Sequence, residues 1–539
     1  MKVNHKNNQF IINQFNSHNK QIFPETNKKK KRRKIFLIEF NGWPVIHIIF
    51  SYLVNYFKVK KNCKIIAYEC FDLLNRENPK WYKKYLWTIG SNLNFKTFKI
   101  FKSFGTDTFL KPKYTNEISF EAEKITNNFI LTKPNLRDLE NLKVYDIWIG
   151  DLIYDSYLKK YSSVTINLNS SNFINYFKDT IKLFLFWKNF FKENDVEAIC
   201  VCHAVYLTGI PLRIAQSKKL NCFSISNCNL VNLTNSISFK KKTNGSDIHF
   251  KFYDKIFNNI PKKFQKKFLI KGKKILNDYT SGKKKYYYLK KATFKKKVKI
   301  HKLKSSSKIK VIIFSHDFID SPHIHGNHFF SDFKQWLLFL SKIIKQTDYD
   351  WYIKLHPASS NITKKEIKNF VKNNHKLKLI NKDFPNNYLK QIGIDYVLTV
   401  YGTVASEMPI HNIKVINASK NNPHFDYNFC INPKNLDEYK KTLLNLKKRK
   451  KKVNFNKLYS YHFMKYMTHK QNIFFRRPEK YFSFVNNKPL QYTNKIYDYW
   501  LKDFNSKIHN YIIQNLEEFI ISKNYFYFDT DKTKLNSLK

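Results

Sequence analysis

The residues best suited to chemistry cluster in three short stretches of the second half of the chain. The first, Thr399–Asn417, is TVYGTVASEMPIHNIKVIN. Its apolar run ends at Val400. Gly402 lets the backbone turn tightly and approach a ligand, Thr403 stands where a helix would begin, and Glu407 follows one helical turn later on the same face. Free N–H groups at such a helix start attract an anion, and a carboxylate beside them can accept hydrogen bonds from two vicinal hydroxyls. The same residues also fit an ordinary helix start, with Thr403 as cap and Glu407 complementing the dipole. The second stretch is His356-Pro357, where the proline holds the histidine extended. Its imidazole can donate to an anion, or it can be a satisfied surface residue. The third, Ser315–His328, is SHDFIDSPHIHGNH. It has the content of a metal site, yet no spacing in it matches a helical H-x-x-x-H pair or a zinc ribbon. Loop histidines lining a cleft are the expectation, with His316 and Asp317, directly after a strand, as the substrate contacts. In the first half the polar strand ends are Gly42, Glu69, Asp151 and His203. Asp151 and His203 are candidates for a base that takes a proton from an attacking group, and each is equally readable as a polar strand terminus.

These residues have to be held by strands and turns, and the pattern supplies them twice. The run KIFLIEF (Lys34–Phe40), the turn Asn41–Pro44 and a helically spaced VIHIIFSYLVNYF open a doubly wound α/β domain. The segment Tyr145–Leu158 is expected as a strand ending near Gly150 and Asp151, and Val196–Tyr206 as a buried strand ending near His203. Strand and helix alternate to about residue 235, which implies a parallel sheet covered on both faces. Residues 236–307 are rich in lysine and tyrosine with broken helical periods, as in a basic helical linker or insertion. A second alternation fills 308–454, and 455–539 are helical and aromatic, placed to pack back across the rest. Residues 1–33 are expected as a polar basic tail. Two α/β halves, 34–235 and 308–454, predict a cleft, and in open parallel sheets ligands sit beyond the carboxyl ends of the strands.

The chain has 539 residues, enough for two or three domains with real cores. Its formal charge of +58 invites a nucleic-acid partner. Against that, only eight of the 98 basic residues are arginine, and lysine, asparagine, isoleucine, phenylalanine and tyrosine run high together. Readers of phosphate backbone and bases lean on the arginine fork. The excess lysine fits a bias toward A/T-rich codons, and no nucleic-acid partner is expected. The seven cysteines contain no C-x-x-C pair and fit small buried hydrophobes in a reducing compartment. The most apolar window, Ile35–Phe57, carries Glu39, Asn41, Gly42, Pro44 and His47 and does not span a bilayer. A cytoplasmic location is expected, with room for peripheral contact at the inner face of the membrane.

Taken in order, several segments resemble bacterial capsule and surface-polysaccharide biosynthesis proteins of the GT-B glycosyltransferase type. They are Ile149–Leu158, His203–Ala215, Ser315–Leu338, KLHP (Lys354–Pro357), Tyr401–Ile416, NNPHFDYNF (Asn421–Phe429) and YSYHFM (Tyr459–Met464). The resemblance implies two Rossmann-like (GT-B) domains facing a cleft, with a helical insertion and C-terminal helices: an N-terminal acceptor domain and a C-terminal domain holding a nucleotide-sugar. Carried onto this chain, His356 contacts the donor phosphate, Gly402 and Thr403 receive phosphate, Glu407 holds the ribose, and His316, Asp317 and His424 face the cleft. The implied activity is transfer of a sugar to a capsule, lipopolysaccharide or exopolysaccharide acceptor, free or lipid-linked, with no cofactor and no metal. The E-x7-E pattern of many retaining members is not evident, so inversion and retention both stay open. An epimerase of UDP-N-acetylhexosamine and a CDP-polyol phosphotransferase share the fold and are the enzyme alternatives. A basic polyanion-binding protein is the non-enzyme one.

Overall fold

The computed structural model describes residues 2–23, 33–69, 83–93, 95–226, 229–235, 249–284, 306–447, 453–485 and 488–528. The first domain is built on β1 (Ile35–Glu39), β2 (Lys64–Tyr68) and β3 (Thr108–Leu110). A small hairpin of β4 (Lys143–Val144) and β5 (Ile147–Trp148) follows, and then β6 (Val196–Val201), β7 (Asn221–Ser226) and β8 (Asn229–Asn232). The main sheet has the order β3-β2-β1-β6-β7-β8. It is parallel except at its edge, where β8 returns antiparallel on β7. Strand β1 shows why both faces are covered: Ile35 and Leu37 enter one apolar core, Phe36 and Ile38 another.

The second domain has β9 (Lys310–Phe314), β10 (Asp350–Lys354), β11 (Leu377–Ile380), β12 (Tyr396–Thr399) and β13 (Lys414–Asn417), all parallel, in the order β11-β10-β9-β12-β13. The two halves are thus Rossmann-like sheets, as the alternation required. Each sheet has one point where the chain stops adding strands on one side and starts on the other. In the first it lies between β1 and β6, in the second between β9 and β12.

Two expectations change. Tyr145–Leu158 is no long strand. Tyr145 and Asp146 take positive φ (49° and 62°) in the β4–β5 turn, and a helix, Gly150–Tyr161, starts at once. Gly150 is required there, since a Cβ would stand 1.9 Å from the Leu139 carbonyl oxygen. Residues 2–22 are not loose either. They form a helix that buries Phe15, and Phe23 is buried just beyond its end. The charge run Asn27–Lys34 lies mostly outside the described residues, as do Cys70 and Cys228.

The helices His249–Asn259 and Lys262–Thr280 pack on the later helix Phe455–Lys470. Phe474, Trp500 and Phe519 of the C-terminal segment join the core beneath helix Pro44–Val59. Among the described residues no helix is long and apolar enough to cross a membrane.

The segment after β9 ties the two domains together. Tyr154 and Thr165 donate to the Asp332 carboxylate at 2.6 and 2.7 Å, while Asp332 also caps helix Phe333–Gln346. His323 lies 2.6 Å from Asp155 and 3.4 Å from Glu140, all three buried. Burial opposes the His323 charge, but the two carboxylates hold its pKa well above the ordinary value.

Candidate functional site

A cavity of about 440 Å³ opens beyond the carboxyl ends of β9, β10 and β12, at the switch point of the second sheet. His316, Asp317, His356, Gly402, Thr403, Glu407 and His424 all line it. Seven of the nine side chains and turns singled out from sequence therefore meet at one place, drawn from three strand ends and two later loops.

His316 is fixed in a single tautomer. Its Nε2 accepts from the Val400 N–H at 3.1 Å and from the Thr399 hydroxyl at 3.0 Å. The Thr399 oxygen in turn accepts from the Gly402 N–H at 3.1 Å. A nitrogen that accepts twice carries no proton, so the proton sits on Nδ1. The ring stacks on Phe333 with centroids 4.6 Å apart. Burial, then the neighbouring His356 and His325, hold its pKa down to about 3. It is a neutral, oriented N–H donor.

His356 is exposed, and its Nδ1 accepts from the Ala358 N–H at 3.3 Å, which leaves Nε2 to carry the proton. Its backbone N–H is held by the Ser315 hydroxyl at 3.1 Å. Gly402 has no room for a side chain, since a Cβ would meet Thr399 Oγ1 at 2.8 Å. Thr403 does not cap by side chain: it is exposed, with helical backbone angles, and its hydroxyl makes no cap bond to the short helix Val404–Glu407. That helix is tied down from outside, because His462 Nε2 donates to the Ser406 carbonyl at 2.7 Å. Glu407 is buried in the wall. His424 is buried, with Nε2 3.2 Å from the Tyr461 hydroxyl, and its Nδ1 has no hydrogen-bond partner among the described residues. Burial, then Lys465, His325 and His462, keep it well below the ordinary histidine pKa.

Asp317 is largely spent on the fold. One carboxylate oxygen accepts from the Ser360 N–H at 3.2 Å, the Ser360 hydroxyl at 2.6 Å and the Thr363 hydroxyl, and so fixes the start of helix Asn361–Lys372. Of the other loop histidines, His325 also lines the cavity and the remaining two turn away from it. His323 goes to Asp155, His325 packs on Tyr401 and His328 on Phe333.

Asp151 and His203 are not in this cavity. Asp151 is 1% exposed, and both its oxygens are taken by Arg213, at 3.1 and 2.6 Å. The guanidinium also lies over Trp148, 4.4 Å from the ring centroid. A buried carboxylate in a bidentate pair can take no proton from a substrate, so Asp151 is a structural residue of helix Gly150–Tyr161. His203 follows β6 and is exposed, its ring edge-on to Trp43 at 5.3 Å. Glu69 forms an ion pair with Lys111 at 3.2 Å.

Sequence reasoning missed Tyr461 and Lys465, which line the cavity from helix Phe455–Lys470. Their i, i+4 spacing was the available signal. Burial lowers the Lys465 pKa, and the Glu407 carboxylate pulls it back up. The cavity lining thus combines imidazole donors with a buried carboxylate and a lysine that feels its charge.

No family model and no curated protein matches the chain. Similar solved structures include Thermosulfurimonas dismutans KpsC, a beta Kdo 2,4 transferase, at 10% identity over 50% of this chain and 79% of that one, with a TM-score of 0.29. A UDP-GlcNAc 2-epimerase from Methanocaldococcus jannaschii, solved with UDP-GlcNAc and UDP, has 11% identity over 81% and 99%, TM-score 0.24. A glycosyltransferase from Rickettsia africae has 10% identity over 88% and 100%, TM-score 0.23. At TM-scores this low, any reading of function rests on the cavity's own residues.

Proposed function

We propose that the protein is a glycosyltransferase that takes a sugar from a nucleotide-sugar and adds it to a surface glycan. The observation that carries this reading is the cavity at the second switch point, lined by two tautomer-defined imidazole donors and a buried carboxylate. His316 Nδ1–H and His356 Nε2–H are suited to the phosphate oxygens of the donor. Both are neutral donors, and they strengthen as charge builds on the leaving phosphate. The backbone at Gly402 and Thr403 borders the same end. Glu407, in the field of Lys465, is suited to the ribose hydroxyls.

Transfer is favoured over epimerisation by the state of the carboxylates. An epimerase needs acid and base groups at the sugar. Of the cavity's three carboxylates, Asp317 is tied to Ser360 and Thr363, Asp320 to Lys159 and Tyr206, and Glu407 lies in the field of Lys465. With Asp151 removed, His203 is the remaining candidate for the base that accepts the acceptor's proton.

Calorimetric titration with UDP, CMP and CDP, followed by a nucleotide-sugar panel scored for donor hydrolysis, tests the reading. One nucleotide should bind at micromolar strength, weakened at least tenfold (about 1.4 kcal/mol) in Glu407→Ala and in His356→Ala. Absence of nucleotide binding, with salt-sensitive polyanion binding in its place, would establish the binding-module alternative.

A further inference from the structure

The first sheet has a switch point too, and an aromatic cluster lies beside it. Trp43 lies four residues past the end of β1, and His203 two residues past the end of β6. Trp43 is 37% exposed and Tyr492, from the C-terminal segment, is 45% exposed. Their rings lie 4.9 Å apart at 54°, and His203 closes the third side at 5.3 Å and 75°. The exposed part of each ring forgoes the stabilisation of burial.

Yet they are held. The buried Glu39 accepts from Asn41 Nδ2 with one oxygen, at 3.2 Å, and from the Cys202 N–H with the other, at 2.7 Å. It therefore ties the loop after β1 to the loop after β6 across the switch point. Asn41 Oδ1 accepts from the Trp43 N–H at 2.9 Å, and the Asn41 carbonyl lies 2.6 Å from His47 Nε2. Thr208 donates to the His203 carbonyl at 3.0 Å. The backbone beneath the rings is fixed, and part of each ring reaches the surface. Past Gly42, a Cβ would find nothing within 4 Å.

This shelf adjoins the cavity. Lys159 and Tyr206, on the first domain, both reach Asp320 on the cavity wall, at 3.5 and 3.3 Å, and His203 lies in the electrostatic range of both Lys159 and Asp320. A ligand on the shelf would extend toward whatever the cavity holds.

We propose that Trp43, Tyr492 and His203 form the subsite for a pyranose ring of the acceptor glycan, with the sugar's apolar C–H face stacked on Trp43. An aromatic face carries negative charge density and attracts the weakly positive axial C–H groups of a sugar, while His203 and Lys159 supply polar groups nearby. A lipid chain is the poorer occupant, because three rings interleaved with polar groups make no continuous apolar patch. The assignment rests on the glycosyltransferase reading, which places a donor in the neighbouring cavity.

Saturation-transfer NMR with octyl β-D-glucoside below its micelle concentration, and with cellotetraose, tests it. In the native chain the sugar ring protons should be saturated. The signal should fall about tenfold in Trp43→Ala, fall in Tyr492→Ala, and survive at half strength or more in Trp43→Phe, which keeps a ring. Nucleotide affinity should stay within about twofold in all three variants, which also reports that they fold. Ring-proton saturation that is absent in the native chain, or unchanged in Trp43→Ala, would overturn the proposal. So would saturation confined to the alkyl chain. Loss of nucleotide binding in the native chain would instead remove the donor reading and leave the sugar-stacking result to stand or fall by itself.

Discussion

Gly402→Ala is the sharpest perturbation of the cavity, because one added methyl strikes one hydroxyl with two duties. The new Cβ would stand 2.8 Å from Thr399 Oγ1, with Val404 Cγ1 at 3.5 Å and His316 Cε1 at 3.7 Å. Ordinary carbon contacts lie at ~3.5–4.0 Å, so it is the Thr399 hydroxyl that must move. That hydroxyl accepts from the Gly402 N–H and donates to His316 Nε2. Losing both bonds costs about 1 kcal/mol each, and His316 then keeps only the Val400 N–H to define its ring. The expected result is a loss of about 2 kcal/mol in nucleotide binding, roughly 30-fold in Kd, with a smaller change in the denaturation midpoint. Thr399→Val removes the same hydroxyl at nearly the same volume and should weaken nucleotide binding by about tenfold. The double variant decides the matter. If both changes act through this hydroxyl, their effects overlap and the pair is no worse than Gly402→Ala to within about 0.5 kcal/mol. Calorimetry on the four proteins gives the cycle. Strictly additive losses, or nucleotide binding untouched by Gly402→Ala, would refute the role assigned to His316.

Other consequences can be checked alongside. Asp155→Asn leaves the buried His323 without its nearest carboxylate, and breaking a buried pair of this kind costs about 3–5 kcal/mol; urea denaturation should show it. Asp151→Asn should likewise lower stability through the buried Arg213 while leaving nucleotide affinity near native, and a selective loss of turnover at full stability would restore Asp151 to the chemistry. Lys465→Met should weaken nucleotide binding by at least fivefold (about 1 kcal/mol) in the same titration. Acid should destabilise the fold through its neutral buried histidines. His316 and His462 are held near 3 and His47 near 4, so below pH 6.5 the unfolded chain binds protons that the folded chain refuses. Stability is complete above that value and falls by about 1.4 kcal/mol per pH unit for each such histidine as pH drops toward its folded pKa. His462→Gln, which can still donate to Ser406, should flatten that slope.

The strand ends were the legible part of this chain. Buried parallel strands are continuous apolar runs, so the places where KVIIF, DWYIK and YVLT stop are visible in the sequence, and the polar residues just beyond them meet in one cavity. What could not be read was how each polar group is spent. Asp151 and Asp317 look equally available in sequence, and only packing shows that one is locked to Arg213 and the other to Ser360 and Thr363. The Tyr145–Leu158 stretch misleads for a related reason. Its apolar residues suit a strand, but the turn at Tyr145 and Asp146 and the close approach at Gly150 are backbone facts without a periodic signature.

The C-terminal helices escaped for a third reason, which is distance along the chain. Tyr461, His462 and Lys465 reach the cavity and the short helix at Val404, while Tyr492 reaches Trp43 on the other domain. One segment therefore supplies side chains at the switch points of both sheets. The C-terminal segment thus does more than cover the core: it completes the lining of the cavity and packs on Trp43.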